Sequence, residues 1–118
     1  MIDIITMIIA PICSAHIQLS NLQGRNGAAG LVDGRVVIAI DYQLPREEWE
    51  YTALHEGAGH CTHLKHPEFI TKEFGKPPFI TEYARTDKHE DWAEEAVGLY
   101  LNGATTRKSR IIRRFLNR

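Results

Sequence analysis

The chain is short of several things. Its 118 residues include two cysteines, Cys13 and Cys61, too few for a disulfide framework. Free thiols in a reducing compartment are therefore expected, with a cytoplasmic location and secretion left open. Methionine stands only at positions 1 and 7. Neither sign of charge is in excess: 14 Lys and Arg against 15 Asp and Glu give a formal net charge of −1. With 43% hydrophobic residues this is the composition of an ordinary globular domain. No apolar run is long enough to span a membrane; Met1 to Ile12 is too short and is interrupted by Asp3 and Pro11. It also lacks the basic residues of an export signal, and its β-branched isoleucines predict a buried strand at Ile2 to Ile9. There is no internal repeat, linker or low-complexity tract. The length allows one small domain with one modest core, expected as a monomer.

What is present is concentrated in Leu54-His55-Glu56-Gly57-Ala58-Gly59-His60. Two imidazoles flanking a carboxylate on a helix nearly reproduce H-E-x-x-H, in which the histidines bind zinc and the Glu takes a proton from water. Here His55 and His60 are five positions apart rather than four. Four positions carry an α-helix about 40° past a full turn, and five carry it about 140° past, too far for two side chains to share an ion. A single-turn π-bulge absorbs one extra residue, and such bulges concentrate at functional sites. Gly57 and Gly59 ease close backbone packing but cost a helix roughly 2 kcal/mol together, so something else must hold the turn. The alternative is a helix that ends near Gly57, with unrelated histidines.

Around this motif the order of elements is legible. Ala15 to Leu22 alternates polar and apolar residues as a half-buried strand does. Gln23 to Gly30 is glycine-rich and predicts a loop; its glycines do not follow G-x-G-x-x-G, so no nucleotide site is read there. Leu31 to Ile40 is a hairpin signal with Asp33-Gly34 as the turn. Pro45 and the acids after it start a helix that runs through the histidines and stops before Pro67. Glu68 to Pro78 should be irregular. A second helix starts at Thr86 or Asp87 and ends at Asn102-Gly103. A third covers Thr106 to Asn117.

A catalytic zinc takes three protein ligands and keeps one position open. His66 has the spacing of the third histidine in H-E-x-x-H-x-x-G-x-x-H, but His63 replaces the required glycine and no methionine follows. Glu90 is the other candidate, although it also fits the N3 position of a capping box with Asp87. His63, His66 and His89 read as surface residues, and His16 has no motif support.

The stretch from Tyr83-Ala84 to Glu90-Asp91-Trp92-Ala93-Glu94 resembles the gluzincin metallopeptidases, in particular the lethal-factor-like and Pro-Pro endopeptidase domains. Their order is H-E-x-x-H, then Tyr-Ala, then Glu-x-x-Ala-Glu on a second helix. The likeness runs roughly from Ala29 to Leu101. The longer histidine spacing resembles that of the dipeptidyl peptidase III family, H-E-x-x-x-H with a glycine before the second histidine, as Gly59 stands here. The resemblance implies His55, His60 and Glu90 as ligands of Zn2+, Glu56 as general base and Tyr83 as donor to the oxyanion. Asp91 is a candidate to orient a ligand histidine, or else a solvated acid at a helix start.

From Ala96 onward there are no acids, while Arg107, Lys108, Arg110, Arg113, Arg114 and Arg118 accumulate. This basic C-terminal helix is either a surface for an anionic partner or a solvated face packed on the domain. Its one aromatic residue, Phe115, speaks against nucleic acid. The expected fold is α+β and zincin-like, a small mixed sheet packed on the active-site helix and the glutamate helix. Val36, Val37 and Ile38 are expected on an edge strand that receives a peptide or protein substrate. The expected activity is zinc-dependent peptide hydrolysis; the alternative is a catalytically degenerate zincin acting as a metal-binding or interaction module.

Overall fold

Asp33 and Gly34 both adopt positive φ, 52° and 79°, as the tight turn between two twisted strands requires. They join β2 (Gly27–Val32) to β3 (Arg35–Asp41) in antiparallel register, with Val32 opposite Arg35. β1 (His16–Ser20) runs parallel to β3 on its other side, completing a mixed sheet of order β1-β3-β2. The computed structural model describes residues 2–117.

Two expectations about this sheet are corrected. β3 is its central strand: Val37 and Ile38 have strand neighbours on both flanks and Val36 pairs with Leu31, so the segment is not the edge strand expected to receive a substrate. Val36 and Ile38 are 3% and 0% exposed, and the near-continuous apolar run of β3 belongs to a strand enclosed on both sides. The edge nearest the histidine helix is β2, whose first four residues, Gly27 to Gly30, fall in the segment expected to be a loop.

The opening segment is also corrected, from strand to helix: α1 (Ile2–Ile9). Ile5 and Ile9, four apart and on one helical face, are fully buried. Burial of that face outweighs the modest reluctance of β-branched residues to be helical.

The long helix runs as expected. A 3-10 turn (Arg46–Glu48) leads into α2 (Trp49–Leu54), a π segment (His55–Cys61) and α3 (Thr62–Lys65), ending before Pro67. It separates two apolar clusters. One holds Ile5, Ile9, Val36, Ile38, Ile40 and Ala53, from α1, β3 and the helix. The other holds Leu54, Ala58, Phe74, Trp92, Ala96 and Ile112. That second side comes largely from α4 (Lys88–Asn102) and α5 (Arg107–Leu116). The glutamate helix α4 thus has the π segment as its main neighbour, where packing on the sheet was expected.

Both later helices begin at sequence-encoded caps. Asp87 accepts from the backbone N–H of His89 and Glu90, each at 2.9 Å, and Thr106 forms a capping box with Ser109. Residues 66–86 are irregular apart from 3-10 turns at Pro67–Phe69 and Tyr83–Arg85.

The expectation of free thiols is overturned. Cys13, just past α1, and Cys61, at the end of the π segment, form a disulfide, their Cα atoms 6.1 Å apart. Lys108 does not belong to the basic surface; it is 6% exposed and bonds Asp91 at 2.6 Å. Among the described residues no helix is long and apolar enough to cross a membrane. The Cα radius of gyration is 13.4 Å, close to the roughly 13.5 Å of one folded body of this length.

Candidate metal centre

The π segment turns His55 and His60 to the same side. Widening a helix by one residue per turn displaces backbone carbonyls from their usual partners, and here two buried side chains engage them. Thr62 Oγ1 lies 2.8 Å from both the Ala58 and the Gly59 carbonyl oxygens. The indole N–H of Trp92 is shared between the Gly59 oxygen at 3.1 Å and Thr62 Oγ1 at 3.0 Å. The glycines serve packing: a Cβ on Gly59 would stand 2.6 Å from Ala93 Cα, and one on Gly57 would stand 2.8 Å from Ile9 Cγ1. They admit α4 on one flank and α1 on the other.

Across this contact Glu90 meets both imidazoles. Its Oε1 is 3.0 Å from His55 Nε2 and 2.8 Å from His60 Nε2. These separations approach the roughly 3.3 Å expected between ligand atoms around a tetrahedral ion with bonds of about 2 Å. Glu56 stands beside them; its carboxylate and the ring nitrogens of His55 and His60 lie within 4.8 Å of one another. Glu56 is only 3% exposed, and burial pushes its carboxyl above the ordinary value, with His60 and His55 pulling the other way. The donor set, two imidazoles and a carboxylate with a second carboxylate alongside, fits zinc chemistry.

The outer nitrogens of the two rings are engaged as well. His55 Nδ1 is 2.8 Å from Glu94 Oε2, and the other Glu94 oxygen accepts from Tyr51 OH at 2.7 Å and Thr81 Oγ1 at 2.9 Å. His60 Nδ1 is 2.8 Å from His63 Nε2. An Nδ1–H that donates outward leaves each Nε2 as the nitrogen that would take an ion or, without one, a proton shared with Glu90. Burial alone would lower the pKa of His55; hydrogen bonds to Glu90 and Glu94 carry it to about 9. Burial works to raise the Glu90 carboxyl, but hydrogen bonds from His55 and His60 hold it well below the ordinary carboxylate range. His63 is lowered to about 4 by burial and by His60 and His89, so it is a neutral acceptor at pH 7.

Tyr83 OH donates to Glu90 Oε2 at 3.3 Å from the rim of the cleft, its side of the ring facing His55 at a centroid distance of 5.9 Å. Burial and Glu90 raise its pKa, which keeps the hydroxyl protonated. The cleft measures about 590 Å³ and is lined by residues 24–29, which lead into and begin β2, by Tyr51 and Thr52, and by side chains just described.

Of the sequence-predicted residues, His55, Glu56, His60, Tyr83 and Glu90 share this cleft. Glu90 is not a capping-box partner, since its carboxylate is turned to the histidines. Asp91 is corrected: it touches no histidine, is fully buried, and bonds Lys108 and the backbone N–H of Gly75. Its expected orienting part falls to Glu94, one helical turn beyond Glu90. His63 is a second correction, 6% exposed rather than on the surface, whereas His66 and His89 are exposed as expected. Glu94 closes the Glu-x-x-Ala-Glu pattern that starts at Glu90, and this i, i+4 spacing is the signal in the sequence that points to it. His63, three residues after His60, offered a weaker one. Compared with family models, curated proteins and solved structures, the chain matches none.

Proposed function

We propose that the chain is a zinc-dependent peptidase of gluzincin type, with His55, His60 and Glu90 holding the ion. The observation that carries this reading is the convergence of two Nε2 atoms on one Glu90 oxygen, 3.0 and 2.8 Å away. When bound, zinc supplies Lewis acidity to a carbonyl and to water. Glu56, buried and raised in pKa, takes the proton from water and passes it to the leaving amine. Tyr83, kept protonated, donates to the oxygen of the carbonyl under attack. Glu94 and His63 fix the tautomers of His55 and His60. The free edge of β2, which lines the cleft, supplies main-chain groups for an extended substrate.

Zinc analysis joined to a fluorogenic peptide library tests this. Wild type should hold one zinc per chain, His55→Ala and Glu90→Ala should hold none, and Glu56→Gln should keep zinc while losing at least about a hundredfold in kcat. Equal cleavage by Glu56→Gln and wild type would overturn the assignment of the base. Zinc binding without any Glu56-dependent cleavage would favour the degenerate, metal-binding alternative.

A further inference from the structure

Arg25 is the only lysine or arginine among the described residues lining the cleft. Its backbone is anchored on both sides. Gln23 and Gly24 turn the chain at φ 54° and 92°, and Arg25 N–H donates to the Leu22 oxygen at 3.2 Å. On the other side, Asn26 Nδ2 donates to Glu48 Oε1 at 3.2 Å, and the Asn26 oxygen accepts from Asp41 N–H at 2.9 Å. The guanidinium itself forms no ion pair among the described residues, where the paired arginines are Arg85 and Arg107. Two residues on, Gly27 brings β2 so near the helix that a Cβ there would stand 3.0 Å from Glu56 Cγ. The next residues, Ala28 and Ala29, are small. An arginine held through its backbone, its guanidinium free of ion pairs among the described residues, thus lines the cleft two residues before the point where the strand meets Glu56.

We propose that Arg25 determines specificity by binding a carboxylate on the substrate, from an acidic side chain or a chain terminus, beside the bond to be cut. A guanidinium matches a carboxylate with two parallel hydrogen bonds, which an amide of the same shape does not reproduce. This inference rests on the peptidase reading for its context but concerns binding, and the two can fail separately.

The test uses matched quenched peptides that differ in Glu against Gln near the cleaved bond, and in a free against an amidated C-terminus. Wild type should favour the carboxylate member by roughly ten- to hundredfold in kcat/KM, in the side-chain pair or in the terminal pair, and so identify the source. In Arg25→Gln that ratio should collapse toward one, and in Arg25→Glu it should turn toward Lys-bearing peptides. The same peptides are titrated against zinc-loaded Glu56→Gln protein, with and without Arg25→Gln, to give Kd ratios independent of turnover. A carboxylate preference in Kd that depends on Arg25 upholds the inference even where no peptide is cleaved. No preference in wild type, or one that survives Arg25→Gln, overturns it.

Discussion

Two histidines that look equivalent in the sequence sit in different electrostatic surroundings. His55 lies between two carboxylates, Glu90 and Glu94, whereas His60 meets Glu90 on one side and the neutral ring of His63 on the other. The consequence for the metal-free protein can be worked out. The pKa of His55 is about 9 in the fold against 6.5 for the free side chain. Folding therefore favours its protonated form, so its contribution to stability is complete below about pH 6.5 and is lost as pH rises toward 9. Denaturation of chelator-treated protein across that window should show falling stability, and His55→Gln should flatten the slope. A slope that persists in the variant would assign the titration to another group. His63 acts with the opposite sign at lower pH, because its folded pKa of about 4 makes protonation oppose folding.

At the scale of elements, the site is a contact between the π segment and α4. The close approach depends on Gly59, whose missing side chain leaves the backbone of Ala93 in van der Waals reach. In Gly59→Ala the new methyl meets main chain, which cannot rotate away, so α4 must withdraw and carry Glu90 from the histidines. The expected cost is about 1–3 kcal/mol, with zinc affinity lost alongside. Gly57→Ala meets Cγ1, Cγ2 and Cβ of the fully buried Ile9, so it is α1, on the flank away from Glu90, that must give way; this variant should lose stability too but keep zinc. Thermal denaturation paired with zinc titration of both variants checks this; equal zinc affinity in Gly59→Ala and wild type would refute it.

At the scale of the molecule, two long-range ties hold the frame around the cleft. The Asp91–Lys108 pair joins α4 to α5, and Lys108 Nζ also donates to the Pro78 oxygen at 2.9 Å, fastening the irregular segment before Tyr83. The Cys13–Cys61 disulfide joins the end of α1 to the residue after His60 and closes a loop with a sequence separation of 48. For a loop of that length the chain-entropy account gives about 4 kcal/mol of stability. The Cys13→Ser/Cys61→Ser protein should lose a comparable amount in chemical denaturation, and intact mass of the native chain should show no reactive thiol. Disulfides of this kind persist in oxidising surroundings, the opposite of what the scarcity of cysteine predicts.

Local chemistry was enough to indicate the hairpin at Asp33-Gly34, helix starts near Asp87 and Thr106, and a π-bulge as one of two readings of the spacing between His55 and His60. Each of these depends on neighbours within a turn or two, so its signal is complete within a few residues. The tertiary structure alone decided that Ile2–Ile9 is a helix, that β3 is central and β2 the cleft edge, and that the cysteines pair. It also decided that Glu94, 39 residues from His55 along the chain, orients that ring while Asp91 turns away to Lys108. Such choices are set by which faces meet once apolar surface is buried, and a pattern of adjacent residues does not encode what lies across the interface.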